Sequence, residues 1–171
     1  MIPTVAQQVG AVRNTIAKTV LPALDPSESF AAEQAGLVLA CLDWILDVHA
    51  SEHRYECAEH AENRALLAML VEFVPAGSGG EARELIAESA EPPEDLVRLR
   101  AQVRRMKSLV ERTYGSLAAS GSAGETASRA VAEVARRQSE RELAWCRMTG
   151  FPQGVAQSIA EVLEAQQPVQ F

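Results

Sequence analysis

Apolar residues recur every three or four positions along most of this chain, a spacing typical of helices with one buried face. No segment shows the apolar and polar alternation of a strand. Proline, glycine and serine clusters separate the periodic segments, which predict helices over residues 4–21, 30–74, 81–88, 94–118, 125–149 and 154–165. Because short loops place consecutive long helices antiparallel, we predict an all-α fold, an antiparallel helical bundle of four long helices plus short helices.

The second of these helices is unusually long. As one straight α-helix, residues 30–74 would extend about 67 Å, far beyond the usual helix of a globular protein. Its inner face turns polar near Ser51, whose hydroxyl can bond back to the preceding turn. We therefore predict that this helix is bent or broken near residue 51. Its length also calls for burial beyond what one bundle offers, which predicts a homodimer.

The inner face of the long helix is apolar at both ends. The first apolar block consists of Leu37, Val38, Cys41, Leu42, Ile45 and Val48, and the second of Leu66, Leu67, Leu70 and Val74. Between the blocks lies a polar stripe that contains all three histidines of the chain: His49, Glu52, His53, Glu56, Glu59, His60 and Asn63. Spacings of three, four and seven residues bring helical side chains over one spot, so the stripe is the candidate functional site.

One interpretation of the stripe is a metal site. His49 and His53 are one helical turn apart, as are Glu56 and His60, and imidazole with carboxylate suits a divalent metal such as Zn, Fe or Mn. The Glu-x-x-His pairs of di-iron carboxylate bundles are absent from the sequence, so a ferritin-like site is not expected. No cofactor is certain from the sequence, and these four residues are the tentative ligands.

A second interpretation is a pocket for an organic ligand. Carboxylates crowded on a buried face raise one another's pKa values, as a general acid or base requires. Gln138 and Arg141, on the predicted inner side of the last long helix, could supply hydrogen-bond donors. No nucleophile motif accompanies them, and the pattern leaves open whether the protein is an enzyme.

A third interpretation is structural and is the one that the pattern favours. Glu52, Glu56 and Glu59 would pair with Arg100, Arg104 or Arg141 across the bundle, or the stripe would face water. Buried ion pairs of this kind can fix the register of helices while adding little stability.

Composition and charge narrow the class of protein. The chain has 171 residues, is 47% hydrophobic and carries a net charge of −7, which predicts one domain over residues 1–171 with a flexible loop at 75–80 and a loose tail at 166–171. Overall acidity argues against nucleic acid and anionic membranes as partners. Three widely spaced cysteines and the absence of a signal-like N-terminus predict a reduced, cytoplasmic protein.

These observations predict a non-catalytic binding or assembly protein that forms a homodimer. A further protein partner is compatible with this prediction. The alternative is a bundle that binds a metal or a small molecule through the cluster of His49, His53, Glu56 and His60. Fold class cannot separate the two, because helical bundles serve many unrelated functions.

Overall fold

Most of the protein is helical in the part of the chain described by a computed structural model, residues 2–25, 27–75, 77–149, 154 and 157–166. Within these residues there is no β-strand. The α-helices in chain order are α1 (Val5–Thr15), α2 (Ser29–Val48), α3 (Glu52–Val71), α4 (Gly80–Glu88), α5 (Leu96–Ala119), α6 (Glu125–Trp145) and α7 (Ile159–Ala165). The predicted all-α fold class is confirmed.

Local sequence sets the ends of several helices. Helix α1 begins at a capping box, in which the Thr4 amide donates to Gln7 Oε1 at 2.8 Å and the Gln7 amide donates to Thr4 Oγ1 at 3.2 Å. Helix α5 begins after Asp95, whose Oδ1 accepts from the Arg98 amide at 2.8 Å. Helix α4 follows Gly79, which has a φ of +76° that favours glycine.

The long second segment changes its helix type near the position of the predicted bend or break, and that it bends or breaks there stays a prediction. Helix α2 ends at Val48, a 3-10 turn spans His49–Ser51, and α3 begins at Glu52. Ser51 is buried at this turn, although its neighbours on the polar stripe are half-buried or exposed. The change of helix type therefore coincides with the change from an apolar to a polar face.

Other predicted boundaries need correction. The first helix is α-helical only to Thr15, continues as a π-helical turn over Ile16–Val20 and then as a 3-10 turn over Leu21–Ala23, which contains Pro22. The last helix begins at Ile159 rather than at residue 154. The predicted stop at 150–152 and the tail at 167–171 lie outside the described residues.

The chain forms two compact units. Unit 1 comprises Met1–Glu52 with Glu142–Ala160, and unit 2 comprises His53–Arg141 with Glu161–Phe171. That residues 1–171 make a single domain stays a prediction.

Unit 2 has its core on two sides of α3. On one side, Leu66 and Leu70 pack with residues of α5 and α6, namely Leu117, Ala127, Ala130 and Val134. On the other side, Leu67 and Val71 pack with residues of α4 and α5, namely Ala82, Leu85, Met106 and Leu109. Each fully buried Leu or Met contributes about 1.5–3 kcal/mol to stability. Helix α3 thus buries a wide arc of its surface, including Glu59, His60 and Asn63 of the polar stripe.

Unit 1 is built around α1 and α2, with polar side chains joining its elements. Arg13 Nε donates to Asp43 Oδ1 at 2.7 Å, linking α1 to α2. This pairing lowers the pKa of Asp43 and raises that of Arg13 through hydrogen bonding and charge. Trp44 Nε1 donates to the carbonyl oxygen of Trp145 at 2.9 Å, and Arg147 pairs with Asp47. These contacts hold α1, α2 and the end of α6 together within the unit.

A large apolar surface of unit 1 is exposed. Within α1, which the structure describes in full, no residue is buried, and in α2 only Val48 is buried. The exposed side chains, which we name the unit 1 apolar face, are Val5, Val12, Val20, Phe30, Leu37 and Val38. The prediction that Leu37, Val38 and Cys41 point into a core is wrong, because all three are exposed.

Candidate functional site

The polar stripe changes from half-exposed to buried along the chain. His49 and Glu52 lie in unit 1 and are half-buried, while His53 in unit 2 is exposed. Further along α3, Glu56 is half-buried and Glu59, His60 and Asn63 are buried. The buried part of the stripe therefore lies in unit 2, between the helices that pack on α3.

Arg141 is the centre of the buried part. Its side chain has no exposed surface, and its Nη2 donates to Glu59 Oε1 at 2.5 Å and to Glu62 Oε2 at 2.6 Å. Its Nε also donates to Glu59 Oε1 at 2.9 Å, and its Nη1 donates to Gln166 Oε1 at 2.6 Å. One guanidinium thus joins two carboxylates of α3 to the residue that follows α7.

Two further cations complete this cluster. Arg137 Nε donates to Glu62 Oε1 at 2.6 Å, and Lys107 Nζ lies 2.5 Å from Glu59 Oε2. We name the five residues Glu59, Glu62, Lys107, Arg137 and Arg141 the buried ion network. Three cations face two carboxylates, so the network carries one excess positive charge. Lys107 is its most exposed member.

Arg141 stays charged although it is buried, because its partners are carboxylates. Burial alone lowers the pKa of Arg141, but the hydrogen bond with Glu62 and the negative charge of Glu59 outweigh burial, so this pKa lies above its ordinary value. Removing charges from water costs several kcal/mol per ion, and only well-formed hydrogen bonds offset that cost. The five residues therefore fix the position of α6 on α3 more than they add stability.

The half-buried part of the stripe also pairs with other helices. Glu56 Oε1 accepts from Arg100 Nε of α5 at 3.1 Å. The pairs Glu56–Arg100 and Glu59–Arg141 are two of those named by the structural interpretation of the stripe. In this respect the carboxylates bind cations of neighbouring helices rather than one another.

The histidines have separate contacts. His49 Nδ1 lies 3.2 Å from the Leu46 carbonyl oxygen, and His53 Nδ1 lies 3.6 Å from Cys57 Sγ. Burial, followed by the charge of Glu56, raises the pKa of the Cys57 thiol, so it stays protonated at neutral pH. His60 Nε2 is 3.0 Å from Gln102 Oε1, to which it donates.

The four tentative metal ligands are not brought together. Within the described residues, no group of three or more His, Cys, Asp or Glu side chains is placed to hold a metal ion. His49, His53, Glu56 and His60 contact a carbonyl, a thiol, a guanidinium and an amide respectively.

Metal content can be measured directly. Given these separate contacts, we expect elemental analysis of the untagged protein to give equal, substoichiometric Zn, Fe and Mn in the native chain and in a variant with His49→Ala, His53→Ala and His60→Ala. Stoichiometric metal that disappears in the variant would restore the metal interpretation.

His60 should make stability depend on pH. Burial lowers its pKa below the usual 6.5, the hydrogen bond to Gln102 raises it in part, and the positive charge of Arg64 lowers it further. Between the lowered pKa and 6.5 the unfolded chain binds more protons than the folded chain, so stability should fall as the pH falls through this range. Urea unfolding between pH 7.5 and 5 should show this loss. His60→Gln should remove that part of the loss, and an identical pH profile in the variant would contradict the assignment.

An apolar pocket of about 440 Å³ opens beside the buried ion network in unit 2. Its apolar wall comes from α3, α5 and α6 and consists mainly of Leu66, Val110, Val131, Val134 and Ala135. Its polar lining consists of Asn63, Lys107, Glu111, Tyr114 and Gln138. Of the predicted site residues, Asn63 and Gln138 line this pocket, while Glu59 and Arg141 belong to the buried ion network, which shares Lys107 with the pocket.

Sequence periodicity misses three members of the network. Glu62, Lys107 and Arg137 are not among the predicted site residues. Because α3 packs on α5 and α6 with a wide arc, Glu62 at the edge of the expected face is also buried. Its position three residues after Glu59 is the one signal in the sequence that points to it.

Comparison with protein-family models, curated proteins and solved structures finds no match for this chain. Function is therefore inferred from the two features that the fold creates, the unit 1 apolar face and the pocket of unit 2.

Proposed function

We propose that the protein is a non-catalytic assembly protein that forms a homodimer through the unit 1 apolar face. The observation that carries this proposal is the exposure of α1 and α2. Val5, Phe30 and Leu37 are 68%, 71% and 59% exposed, although their chemistry favours burial. Exposed apolar side chains concentrated on two helices in this way are typical of an interaction site.

The spacing of these residues suits packing of helix against helix. Val5 and Val12 are seven residues apart on α1, and Phe30 and Leu37 are seven residues apart on α2. Residues seven apart lie on the same side of an α-helix, two turns from each other. Each helix therefore presents one apolar strip, as helices of a four-helix assembly do.

Charge favours a second copy as the occupant. The only charged residues between positions 2 and 24 are the basic Arg13 and Lys18, whereas all charged residues of α2 are acidic, namely Glu33, Asp43 and Asp47. Arg13 already pairs with Asp43, and Asp47 with Arg147, within one chain. In a two-fold symmetric dimer, Lys18 of each copy can lie against Glu33 of the other, so that opposite charges meet twice. Two α1–α2 pairs would then form four helices around one shared core.

A lipid bilayer is the rival occupant. By length and composition, the helical stretch Ser29–Val71 could cross a membrane, since it contains an 18-residue window with a mean hydropathy of 1.3, none of which is buried. Such a single stretch is weak support for a membrane span. In a homodimer, the ion pairs Asp43–Arg13 and Asp47–Arg147 can stay in a polar environment. In a bilayer core, hydrocarbon would surround both pairs, which is unfavourable for charged groups.

Dimerisation through this face can be tested with a spin label. Asn14 is exposed and lies on the side of α1 opposite Val5 and Val12, so a label there does not touch the proposed contact. The three native cysteines are replaced by serine and Asn14→Cys is labelled. We expect dipolar coupling between labels on two copies, and its disappearance when Leu37→Glu is added. Absence of coupling in the labelled parent would contradict the proposal.

The same spin-labelled proteins distinguish binding of a second copy from binding to a lipid bilayer. If the face binds lipid instead, the labelled parent should show no coupling in solution and should sediment with neutral phospholipid vesicles. If it binds a second copy, coupling should be present in solution and vesicles should leave it unchanged.

Binding of a small molecule by unit 2 is a second candidate function, favoured by the pocket beside the buried ion network. It would be compatible with assembly, because the pocket lies in unit 2 and the unit 1 apolar face lies in unit 1.

A further inference from the structure

The pocket of unit 2 has the composition of a ligand site. A volume of about 440 Å³ falls within the range of small-molecule pockets, roughly 300–1,000 Å³. Most of its wall is aliphatic, and the few polar groups come from three different helices, namely Asn63 of α3, Lys107, Glu111 and Tyr114 of α5, and Gln138 of α6. Such a wall favours a ligand with an apolar body and one polar end.

Lys107 is the group that sets the charge of that polar end. Glu59 Oε1 already accepts two hydrogen bonds from Arg141, at 2.9 and 2.5 Å, so its charge is compensated without Lys107. Lys107 supplies the excess positive charge of the buried ion network, and it is also part of the pocket wall. Glu59 Oε2 is buried and accepts no hydrogen bond from the described residues, so Lys107 stays beside it and can direct another of its three N–H groups toward an anion in the pocket.

The remaining charge limits the ligand to one negative group. Glu111, one turn after Lys107 on α5, also lines the pocket and is exposed. A dianion such as a phosphate ester would meet the carboxylates of both Glu59 and Glu111, whereas a monoanion can contact Lys107 alone. Tyr114 adds a further titratable side chain to the wall, and its hydroxyl donates to Ser128 Oγ at 3.2 Å.

We infer that this pocket binds a small aliphatic carboxylate, with the carboxylate on Lys107 and the aliphatic chain along Leu66, Val110, Val131 and Val134. The inference does not depend on dimerisation, since all lining residues belong to unit 2. A carboxylate hydrogen-bonded to an ammonium beside an apolar wall gains from both ends of the ligand.

Four ligands that share one alkyl chain but differ in their polar end test which charge the pocket prefers. Titration calorimetry at pH 7.5 compares decanoate with decanol, decylamine and decyl phosphate on the intact chain, below the concentration at which each aggregates. We expect decanoate to bind at least about tenfold more tightly than the other three, as loss of one hydrogen bond to a charged group implies. Equal binding of decanol, or tighter binding of decylamine or decyl phosphate, would overturn the carboxylate assignment.

Two substitutions test whether the ligand binds in this pocket and at Lys107. Lys107→Met keeps the length of the side chain and removes its charge, so decanoate affinity should fall about tenfold while decanol affinity stays the same. Gly115 lines the pocket, and a Cβ added there would meet nothing within 4 Å, so Gly115→Leu should obstruct the pocket without strain. That variant should lose binding of both ligands and keep its thermal stability. Ala118→Leu, an exposed change on the same helix outside the pocket, is the matched control and should bind like the parent.

The outcomes with these variants test the pocket and the role of Lys107 separately. Unchanged decanoate affinity in Gly115→Leu would mean that the ligand binds elsewhere, and the site would be wrong. If Gly115→Leu loses decanoate binding but Lys107→Met binds decanoate as tightly as the parent, Lys107 is excluded as the partner of the carboxylate. If Lys107→Met fails to fold, Gly115→Leu still decides the place and the ligand series still decides the charge. No heat of binding for decanoate, confirmed by unchanged backbone amide resonances, would overturn the inference.

Discussion

Replacing Arg141 by methionine is expected to lower the free energy of unfolding by about 3–5 kcal/mol. The reason lies in what the change leaves behind, because Glu59 and Glu62 are both buried and both accept hydrogen bonds from Arg141. Arg137 and Lys107 would each still face one carboxylate, but neither can bridge the two. Methionine fills much of the volume, so the loss reports charge and hydrogen bonding rather than a cavity.

Urea unfolding followed by circular dichroism measures this effect. Arg136→Met is the matched control, because Arg136 lies on the same helix, pairs with Glu133 and Glu140, and is exposed. Exposed pairs contribute about 0–1 kcal/mol, so the control should stay within about 1 kcal/mol of the parent. Arg141→Lys should fall between the two, since lysine keeps the charge without the planar fork. Similar losses of unfolding free energy for Arg141→Met and Arg136→Met would contradict a buried, energetically coupled ion network around Arg141.

Introducing two acidic side chains into the unit 1 apolar face should dissociate the proposed homodimer. With Phe30→Glu and Leu37→Glu, each interface would carry four added carboxylates, and like charges placed together cost several kcal/mol. We expect the dissociation constant to rise about a thousandfold, which corresponds to about 4 kcal/mol. Both side chains are exposed in the single chain, so its helicity and its unfolding as a monomer should change little.

Sedimentation velocity of the double variant measures that dissociation. Val97→Glu serves as the control, because Val97 is an equally exposed apolar side chain of α5 in unit 2, outside the proposed contact. The control should remain dimeric at the concentration at which the double variant is monomeric. Dissociation by Val97→Glu to the same extent would place the contact elsewhere, and an unaffected double variant would exclude the unit 1 apolar face.

Much of the helical architecture follows from the sequence. The 3.6-residue pattern predicts α5 and α6 to within a few residues, and the change to polar residues coincides with the 3-10 turn at His49–Ser51. Helix ends are less predictable, since the π-helical turn at Ile16–Val20 has no distinct signal in its residues.

The sequence predicts less of the candidate site. It marks Glu59, His60 and Asn63 as inward-facing, and these are buried. It does not decide whether carboxylates meet one another, a metal or a cation, because the partner comes from helices about 40–80 residues away along the chain. Arg141 and Glu62 gain their roles only from packing that periodicity does not describe.

The exposure of Leu37 shows a different limit. An apolar face shows that a helix is stabilised by burial, but the covering surface can belong to the same chain or to another. In α2 the pattern predicts an inward face, and within the single chain Phe30, Leu37 and Val38 remain exposed. Homodimerisation would supply the missing cover, and the sequence alone could not distinguish the two sources.

Molar mass in solution tests homodimerisation most directly. Light scattering coupled to size-exclusion chromatography, over a range of micromolar concentrations, should give twice the chain mass of 18.4 kDa for the parent protein. A mass of 18.4 kDa at every concentration would mean that the unit 1 apolar face does not bind a second copy, and the proposed assembly function would be wrong.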